Sequence, residues 1–444
     1  MKKKERVTFE IAKGVKDSYG EEAVLRNYIR DTLRDVFERY GYNPIETPML
    51  ERQETLGYKG GGEIQKEVFR LKDQGLRNLA LRFDQTVPLA RFIATHKEIK
   101  FPFKRYVIGP VFRDGPTQPE QGRYRIFTQC DVDVLGIKEM TAEAELFALA
   151  QDAFKALGLG DVEIKINNRK LLDGVLDYAG VPKDSKTAVI IALDKMDKIG
   201  LEGVKEELNN LKDDVSGNIE LGKGVAEKLI DAIELQKTNK ATYDKLSKIV
   251  KSSKGKEGLD EVKQLLDYAD AMKLDIQFDP SLARGLDYYT GTAIEVYLKN
   301  RDIVKSAILA GGRFDNMIGE FRGGNEEIPA VGFSFGLERL VMILQEFKKD
   351  NKKTMTDLYI IPMDTIDDSL RIAHEIRNQG VNVDMDLQGK KFKKSISYAD
   401  SLGINYVGII GGDELEKGVI SIKELASGKQ EEVKIKDVAE YLKR

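Results

Sequence analysis

The sequence is poor in the residues that build disulfide-linked and metal-bound scaffolds: its 444 residues include one cysteine, two histidines and no tryptophan. The single cysteine, Cys130, excludes an internal disulfide framework, and with two histidines beside it a zinc site is not expected. No catalytic grouping of cysteine, histidine and serine is evident, which argues against covalent nucleophilic catalysis. One thiol and no disulfide are typical of a reducing cytosol, so we expect a cytoplasmic protein without a metal site of its own.

Long apolar runs and an excess of charge of one sign are missing as well. No uninterrupted apolar stretch is long enough to span a bilayer, and the charged residues 1–5 lead into no apolar run. We therefore expect neither a membrane segment nor a signal peptide. Lys and Arg number 71 against 74 Asp and Glu, a formal net charge of −3. Overall charge thus predicts no nucleic-acid binding, and any such binding requires local basic patches.

The length and the spacing of apolar residues predict three parts. Residues 1–345 are expected to form an α+β domain that contains a helical insertion at about 170–272. A polar linker is predicted at 346–356, and a small α/β domain at 357–444. Helices are predicted at 20–40, 87–96, 140–156, 366–379, 391–403 and 435–443. Strands are predicted over much of 65–136 and at 274–278, 292–298, 358–362, 381–385, 405–410 and 418–423, with a strand running into a helix over 331–340.

One segment of the first part carries the most information about a site. Residues 122–133 alternate like a strand, which places these side chains on one face: Arg123, Arg125, Phe127, Gln129, Asp131 and Asp133. Such a face is too polar and too charged for an ordinary sheet core. It predicts the floor of a pocket for an anionic ligand at one end and a polar or cationic ligand at the other.

Arg113 ends an apolar run at 106–112 and precedes that segment by one short loop. A surface ion pair with Asp114 would be the ordinary explanation. Arg123 and Arg125, however, return on what is expected to be the adjacent antiparallel strand, and guanidinium groups converging there repel each other unless an anion is present. Because the planar guanidinium suits bidentate contacts with phosphate, the cluster predicts a phosphate site.

Two other segments have a structural explanation beside a functional one. Asp84, Gln85 and Thr86 follow a predicted strand, where Thr86 caps the next helix or Asp84 binds a substrate ammonium. Arg284 and the adjacent tyrosines at 288 and 289 lie in a glycine-flanked turn, either as hydrogen-bonding walls of a pocket or as surface packing.

Glycines and lysines mark two further places. The run Gly-Gly-Arg-Phe-Asp at 311–315 lacks the spacing of a phosphate-binding loop and predicts close backbone packing at a pocket wall. Four lysines surround Phe392 at the start of a predicted helix: Lys390, Lys391, Lys393 and Lys394. They form either a solvated face or a contact with an RNA backbone.

Together these blocks resemble the histidyl-tRNA synthetases, a family of class II aminoacyl-tRNA synthetases, along essentially the whole chain. Residues 42–51 resemble motif 1, the proline-containing strand of a dimer interface, and residues 106–133 resemble motif 2. Residues 330–344 resemble motif 3, whose arginine is Arg339. The segments 283–289 and 311–315 resemble the family's histidine-specific segments. The resemblance implies a largely antiparallel catalytic sheet with flanking helices, an inserted helical domain, a C-terminal anticodon-binding domain and a homodimer.

The resemblance also implies roles for individual residues. L-histidine would be surrounded by Asp84, Gln85, Thr86, Arg113, Gln129, Asp133, Arg284, Tyr288 and Tyr289. The catalytic residues would be Arg113 and Arg284, on opposite sides of the ATP α-phosphate. ATP would also contact Arg123 through its β- and γ-phosphates and Phe127 and Arg339 through adenine, with Mg²⁺ bridging the phosphates. Transfer RNA would contact Gln118, in the role of reading the extra 5′ guanine, and Lys390, Lys391, Lys393 and Lys394. Arg125 and Asp131 are expected to form a supporting ion pair.

The implied function is that of a histidine–tRNA ligase, which makes histidyl-adenylate from L-histidine and ATP and then charges the 3′-terminal adenosine of tRNA(His). Adenylate formation requires alignment and charge neutralisation more than proton transfer, which suits a site built of arginines. The alternative is a catalytically inactive paralogue such as the regulatory subunit of ATP phosphoribosyltransferase. That paralogue typically lacks the segment of Arg284 and the C-terminal domain, and this sequence contains both.

Overall fold

The computed structural model describes residues 9–57, 66–213, 217–218, 220–284, 288–324, 326–347 and 352–443. The chain divides into two compact units: the residues up to Lys16 and Ile29–Glu346 form the first, and Asp17–Tyr28 with Phe347–Arg444 form the second. Part of the predicted linker, 348–351, and part of the predicted histidine-specific segment, 285–287, lie outside the described residues.

The first unit is organised around strands. Its described strands are β1 (Asn43–Pro44), β2 (Leu50–Arg52), β3 (Arg70–Lys72), β4 (Asn78–Leu81), β5 (Phe103–Phe112), β6 (Ile126–Leu135), β7 (Val162–Asn168), β8 (Lys212–Asp213), β9 (Gly217–Asn218), β10 (Ile276–Phe278), β11 (Thr292–Leu298), β12 (Leu309–Arg313) and β13 (Ala330–Gly336). Eight of them form one sheet in the order β1-β5-β6-β13-β12-β11-β7-β10. Only the edge pairs β1–β5 and β7–β10 are parallel. This largely antiparallel sheet confirms the predicted fold class.

Helices flank the sheet and fill the stretch between β7 and β10. Those described up to residue 347 are α1 (Gly20–Arg39), α2 (Gln53–Gly57), α3 (Thr86–Thr95), α4 (Thr141–Ala156), α5 (Arg169–Ala179), α6 (Lys186–Leu193), α7 (Met196–Asn209), α8 (Val225–Ile233), α9 (Asn239–Ile249), α10 (Ser253–Met272), α11 (Met317–Phe321) and α12 (Leu337–Phe347). In the described part of this stretch the run α5–α10 contains one two-stranded sheet, β8–β9, and most of its residues are helical, as predicted. None of the helices in the described ranges combines the length and apolar character needed to cross a lipid bilayer.

Helices α5 and α10 approach closely because glycines lie where they cross. A Cβ atom on Gly258 would stand 2.4 Å from the backbone nitrogen of Leu171, and one on Gly174 would stand 2.8 Å from the Cα atom of Gly255. The Asn168 side chain caps α5 by accepting from the N–H groups of Lys170 and Leu171. These contacts hold the inserted helices against the end of β7.

An apolar core lies under α3 and α11 and supports the loop that follows β4. It is formed by buried side chains from α2, β4, α3 and β6 and from the segment 314–330. Phe83 and Val87 belong to this core, which leaves the polar residues between them at its edge. The core thereby fixes the position of Asp84, Gln85 and Thr86.

The second unit contains a mixed sheet ordered β15-β14-β16-β17-β18. Its elements are β14 (Leu358–Pro362), α13 (Ile366–Arg377), β15 (Val383–Met385), α14 (Phe392–Ser401), β16 (Tyr406–Ile410), α15 (Gly412–Lys417), β17 (Val419–Glu424), β18 (Gln430–Lys434) and α16 (Val438–Tyr441). The predicted alternation of strands and helices is confirmed. Strand β18 and helix α15 were not predicted: β18 is a charged edge strand with one buried side chain, and α15 is six residues long.

Candidate active site

A cavity of about 80 Å³ opens on one face of the eight-stranded sheet. Its lining residues are Phe83, Asp84, Thr86, Arg113, Gln129, Asp131, Asp133, Arg284, Tyr288, Tyr289, Ala310, Gly311, Gly312, Phe314, Gly332, Phe333 and Ser334. Of the nine side chains predicted to surround histidine, all except Gln85 line it. Residues more than 200 positions apart in the chain therefore meet at one small cavity.

The register of β5 with β6 builds the charged half of this cavity. Arg105 lies opposite Asp133, Val107 opposite Asp131, and Gly109 opposite Gln129. Residues paired in this way project from the same face of an antiparallel sheet. The alternation predicted for 122–133 is thus present from Ile126 onward, and it presents an amide and two carboxylates to the cavity.

The neighbouring strands β12 and β13 supply a floor made of glycines. A Cβ atom on Gly332 would stand 2.1 Å from Asp133 Oδ1, and one on Gly312 would stand 2.5 Å from the Thr292 carbonyl oxygen and 2.8 Å from Tyr289 Cδ1. Such separations exclude any side chain. The close backbone packing predicted for 311–315 is confirmed, and it makes room for a ligand beside Asp133.

Several buried polar atoms around the cavity have no hydrogen-bond partner among the described residues. They are Asp84 Oδ2, Gln129 Oε1, Asp131 Oδ1, Asp133 Oδ2 and Arg284 Nε; of these, Asp133 Oδ2 has an ion-pair contact with Arg105. Buried polar groups in folded proteins are normally paired, because an unpaired group forfeits its hydrogen bonds to water. Burial raises the pKa of Asp84 to about 7, against the lowering effects of the Val87 N–H and of Arg113. The cavity is therefore suited to a ligand with both donors and acceptors, including a cationic group near Asp84.

Two arginines, Arg113 and Arg284, line the cavity, and Arg123 and Arg339 lie within electrostatic reach of them. Burial lowers the pKa of Arg339, and Arg113, Arg123 and Arg284 lower it further while Glu295 acts in the opposite direction. The guanidinium groups thus lie within electrostatic reach of one another. Their mutual repulsion is relieved by an anion, and a polyphosphate carries enough charge to do so. Of the convergence predicted at this hairpin, Arg113 and Arg123 lie within electrostatic reach of each other, whereas Arg125 pairs with Asp114. Arg284 and Arg339 join the group from distant segments.

Arg113, Arg123 and Arg339 each contact a protein group that orients the guanidinium. Arg113 Nε donates to the Phe83 carbonyl oxygen at 3.1 Å, and its Cζ lies 5.0 Å from the Phe127 ring centroid. Arg123 pairs with Glu67 at 3.1 Å. Arg339 Nη1 donates to the Ala307 carbonyl oxygen. These contacts orient the guanidinium groups before any ligand arrives.

Arg284 sits in a loop anchored by side chains that the sequence did not single out. Asn167 Nδ2, on β7, donates to the Pro280 carbonyl oxygen at 3.1 Å and to the Leu282 carbonyl oxygen at 2.8 Å. Arg284 itself pairs with Glu295 on β11 at 2.5 Å. Asn167 gave no signal in the sequence, because its partners lie more than 110 residues away.

The two adjacent tyrosines form a wall rather than surface packing. Their ring centroids are 4.9 Å apart at an interplanar angle of 60°, and Tyr288 also meets Phe314 edge-on at 6.4 Å. Arg284 Cζ lies 5.9 Å from the Tyr289 ring centroid. The phenols therefore close the side of the cavity that faces Arg284.

The structure overturns three sequence-based interpretations. Asp84 Oδ1, not Thr86, accepts the Val87 N–H at the start of α3, so Thr86 is not the cap. Arg125 pairs with Asp114 at 3.1 Å and not with Asp131, while Arg113 is held by Phe83.

Arg123 and Arg125 also precede the strand, which begins at Ile126. The reason is the turn before β6: Gly122 has φ +68°, a left-handed conformation that favours glycine, and the backbone of Arg123 pairs with that of Gln118. The turn directs Arg125 away from Asp131.

Other predicted site residues lie apart from the cavity. Gln85 is buried and donates to the Gly109 carbonyl oxygen at 3.3 Å, which supports β5. Gln118 lies in the turn before β6. In the second unit Lys391, Lys393 and Lys394 are exposed at the start of α14, and Lys390 Nζ lies 4.0 Å from the Tyr398 ring centroid. Their roles stay predictions.

A larger cavity of about 540 Å³ adjoins the first through Tyr288 and Tyr289. Its other wall is formed by α5 and α10, where Lys170 bridges Glu257 and Glu261 and Lys254 pairs with Asp173. These charges neutralise one another, whereas the smaller cavity presents unpaired ones. We therefore place the chemistry in the smaller cavity.

A largely antiparallel sheet with an arginine-lined pocket on one face defines the catalytic domain of a class II aminoacyl-tRNA synthetase. The sequence profile of the family described as histidyl-tRNA synthetase matches residues 14–340, and that of the anticodon binding domain matches residues 357–444. The chain belongs to the histidyl-tRNA synthetase family. The resemblance predicted from the motifs is confirmed.

Individual relatives agree with the family profile. Histidine--tRNA ligase 1 of Bacillus cereus is 41% identical over 437 residues, which cover 97% of this chain and 98% of that protein. The crystal structure of histidyl-tRNA synthetase from Nostoc sp. PCC 7120 superimposes with a TM-score of 0.84 at 32% identity, covering 99% of this chain and 100% of that one.

The alternative paralogue is represented more distantly. A structure titled as an ATP phosphoribosyltransferase regulatory subunit/histidyl-tRNA synthetase from Bacillus halodurans aligns with a TM-score of 0.73 at 23% identity, covering 88% of this chain and 97% of that one. A likeness at this identity shows the fold alone. The C-terminal match to an anticodon binding domain favours the synthetase.

Proposed function

We infer that this chain activates L-histidine with ATP and transfers the histidyl group to the 3′-terminal adenosine of tRNA(His). The observation that carries this conclusion is the pairing of two environments in one cavity. Carboxylates and an amide line part of it together with the guanidinium groups of Arg113 and Arg284, and Arg123 and Arg339 lie within electrostatic reach of these two. An amino acid with a polar side chain fits the carboxylates and the amide, and the phosphates of ATP fit the guanidinium groups.

Histidine enters with its α-ammonium group toward Asp84 and Thr86 and its imidazole toward Asp133, Gln129 and the two tyrosines. Buried hydrogen-bonding walls of this kind reject aliphatic amino acids of similar size, because such ligands leave the walls unpaired. Gln85 acts indirectly by holding β5. The substrate carboxylate then lies beside Arg113.

Activation is an in-line attack of that carboxylate on the α-phosphorus, with pyrophosphate leaving. Arg113 and Arg284 bracket the α-phosphate and neutralise the charge that develops there. Neither arginine moves a proton, which agrees with a cavity that contains no histidine of the protein. Arg123 holds the β- and γ-phosphates, while Phe127 and Arg339 hold adenine between them.

Mg²⁺ enters with ATP as part of the substrate. Within the described residues no group of three or more His, Cys, Asp or Glu side chains is placed to hold a metal ion. Mg²⁺ commonly keeps several waters and binds through substrate phosphates with one or two carboxylates. The ion thus accompanies the phosphates without requiring a cage in the protein.

The remaining partners follow from exposed features. Gln118 reads the extra 5′ guanine of tRNA(His), and the exposed lysines at the start of α14 contact the tRNA backbone.

The protein acts in the cytoplasm as a homodimer joined through residues 42–51. In support of the dimer, β1 is the edge of the large sheet, and Met49 and Leu50 are about half exposed.

Purified protein is expected to catalyse histidine-dependent exchange between pyrophosphate and ATP. Each of the twenty amino acids is tested in turn, and exchange should be strong with histidine alone, because only imidazole satisfies both Asp133 and the tyrosine wall. Folding is checked by circular dichroism. Strong exchange with a different amino acid would contradict histidine as the substrate. No exchange with any amino acid, in folded protein, would contradict the proposed enzymatic activity.

Removing the lysine charges of α14 is expected to weaken tRNA charging and spare exchange. Changing Lys390, Lys391, Lys393 and Lys394 to Gln should raise the KM for tRNA by on the order of ten-fold or more at 0.15 M salt and reduce its salt dependence, because fewer counterions are released. A matched control changes four lysines of the same unit on α15, β17, the turn after β17 and β18: Lys417, Lys423, Lys429 and Lys434. Equal effects in both variants would contradict a specific contact.

A further inference from the structure

Arg105 is a charged residue whose side chain is almost wholly inaccessible. It is 1% exposed, on β5, directly opposite Asp133 in the register of β5 with β6. Its Nη2 lies 2.6 Å from Asp133 Oδ2 and donates to the Gln85 carbonyl oxygen at 3.4 Å. Burying an arginine is costly unless its charge is paired, so its position requires an explanation.

Three carboxylates, Asp84, Asp131 and Asp133, line the cavity together with Arg113 and Arg284. Arg105 lies beside Asp133 on the neighbouring strand and does not line the cavity. Burial raises the pKa of Asp133 to about 7; Arg105 opposes this rise, and Asp131 and Asp84 add to it. Burial also raises the pKa of Asp131, while Arg105, a hydrogen bond with Ser334, Arg82 and Arg113 lower it.

The other elements packed on Asp133 add little charge. Tyr42, before β1, lies within electrostatic reach of Asp133, and burial raises its own pKa, so its phenol stays neutral. Strand β13 contributes Gly332 and Ser334, which do not titrate in the relevant range. Arg105 is therefore the described cation in direct contact with Asp133.

The two oxygens of Asp133 face different partners. Oδ2 is the atom beside Arg105, whereas Oδ1 lies 2.1 Å from the point where a Cβ on Gly332 would stand. Since Gly332 has no side chain and lines the cavity, Oδ1 projects over the glycine floor. The ion pair thus aims one oxygen at the space that a ligand takes.

We propose that Arg105 is the positioning residue of the substrate side-chain site: it holds Asp133 by Oδ2 so that Oδ1 is an ionised acceptor for an imidazole N–H. This inference rests on the proposed function and names a residue that acts through Asp133 without touching the substrate. Without Arg105, Asp133 loses the cation that opposes burial, its proton stays bound to higher pH, and Oδ1 is no longer fixed.

The test uses the full-length protein and measures pyrophosphate exchange as a function of histidine, ATP and pH. In Arg105→Gln, the KM for histidine should rise about ten-fold or more, while the KM for ATP and the kcat change by less than about three-fold. The acid limb of kcat/KM for histidine should move to higher pH by about one unit. In Arg105→Lys, which keeps the charge but not the planar fork, the acid limb should stay near that of the unchanged protein.

A purely structural role predicts a different pattern. The variant would then lose thermal stability and active fraction while the acid limb and the histidine KM of the remaining enzyme stay unchanged, and that result overturns the proposal. If Arg105→Gln does not fold, the same measurements are made on the double variant Arg105→Gln, Asp131→Asn. This variant removes one charge of each sign and so leaves the net charge of the site unchanged. An unchanged histidine KM in that double variant also overturns the proposal. Exchange by the unchanged protein reports separately on the proposed function.

Discussion

Replacing Arg284 by alanine is expected to lower histidine-dependent pyrophosphate exchange by two orders of magnitude or more, about 3 kcal/mol of transition-state stabilisation. The guanidinium lines the cavity, is held by Glu295 at 2.5 Å, and has an Nε atom without a hydrogen-bond partner among the described residues. A charge fixed in this way stabilises the α-phosphate in the transition state without reorganising during the reaction. The loss should fall mainly on kcat, because the interaction strengthens as charge develops.

The control for this variant is Arg301→Ala. Arg301 also follows β11, pairs with Glu163 at 3.0 Å, and does not line the cavity. We expect it to retain exchange within about two-fold, as for a partly exposed ion pair. Near-normal exchange by folded Arg284→Ala, or equal losses in the two variants, would contradict a catalytic role for Arg284.

Replacing Glu143 by alanine is expected to destabilise the first unit by about 3–5 kcal/mol, because the buried Arg313 loses two hydrogen bonds of 2.7 Å and keeps Asp315, at 3.3 Å, as its described carboxylate partner. Glu143 is fully buried on α4 and accepts two hydrogen bonds from Arg313, both at 2.7 Å, and a third from Thr292 at 3.1 Å. Arg313 in turn bonds the Ile137 carbonyl oxygen at 3.2 Å. The measurement is the free energy of unfolding of the first unit's transition in urea.

An exposed ion pair provides the matched comparison. Arg34 and Asp31 on α1 are 2.8 Å apart with side chains 46% and 63% exposed, so Asp31→Ala should cost no more than about 1 kcal/mol. Replacing Glu143 and Arg313 together by leucine should cost less than Glu143→Ala alone, because the buried guanidinium is removed together with its main partner. A Glu143→Ala cost as small as that of Asp31→Ala would refute the assigned importance of the buried pair.

Local sequence patterns predicted many of the helices and strands. Helix α1 was evident from apolar residues three and four apart, and it ends before Gly41, whose φ of +77° favours glycine. Strand β11 was predicted with its observed bounds. Strand β6 was predicted to begin too early, since alternation continues in sequence through Arg123 and Arg125 while the backbone turns there. Periodicity reports which residues share a face and does not report where a chain stops being a strand.

The site residues fall into those that the sequence predicted and those that it missed. Those recognised from motifs are the side chains that contact substrates in the family, and eight of the nine predicted for histidine line one cavity. The residues missed are their supports: Arg105 behind Asp133, Asn167 behind the loop of Arg284, and Glu143 behind Arg313. Each support is an ordinary polar residue in a strand or helix, with no neighbour in sequence that reveals its task.

The sequence by itself determined the family, the order of helices and strands, and the chemistry of the site, because motifs and periodicity depend on residues close together in the chain. The tertiary structure alone decided which oxygen of Asp133 faces the cavity, that Arg125 pairs with Asp114, and that Glu143 bonds an arginine 170 residues away. These outcomes depend on strand register and on helix packing against the sheet. Both are set by the whole core, since a shift of one residue turns every side chain of a strand to the opposite face.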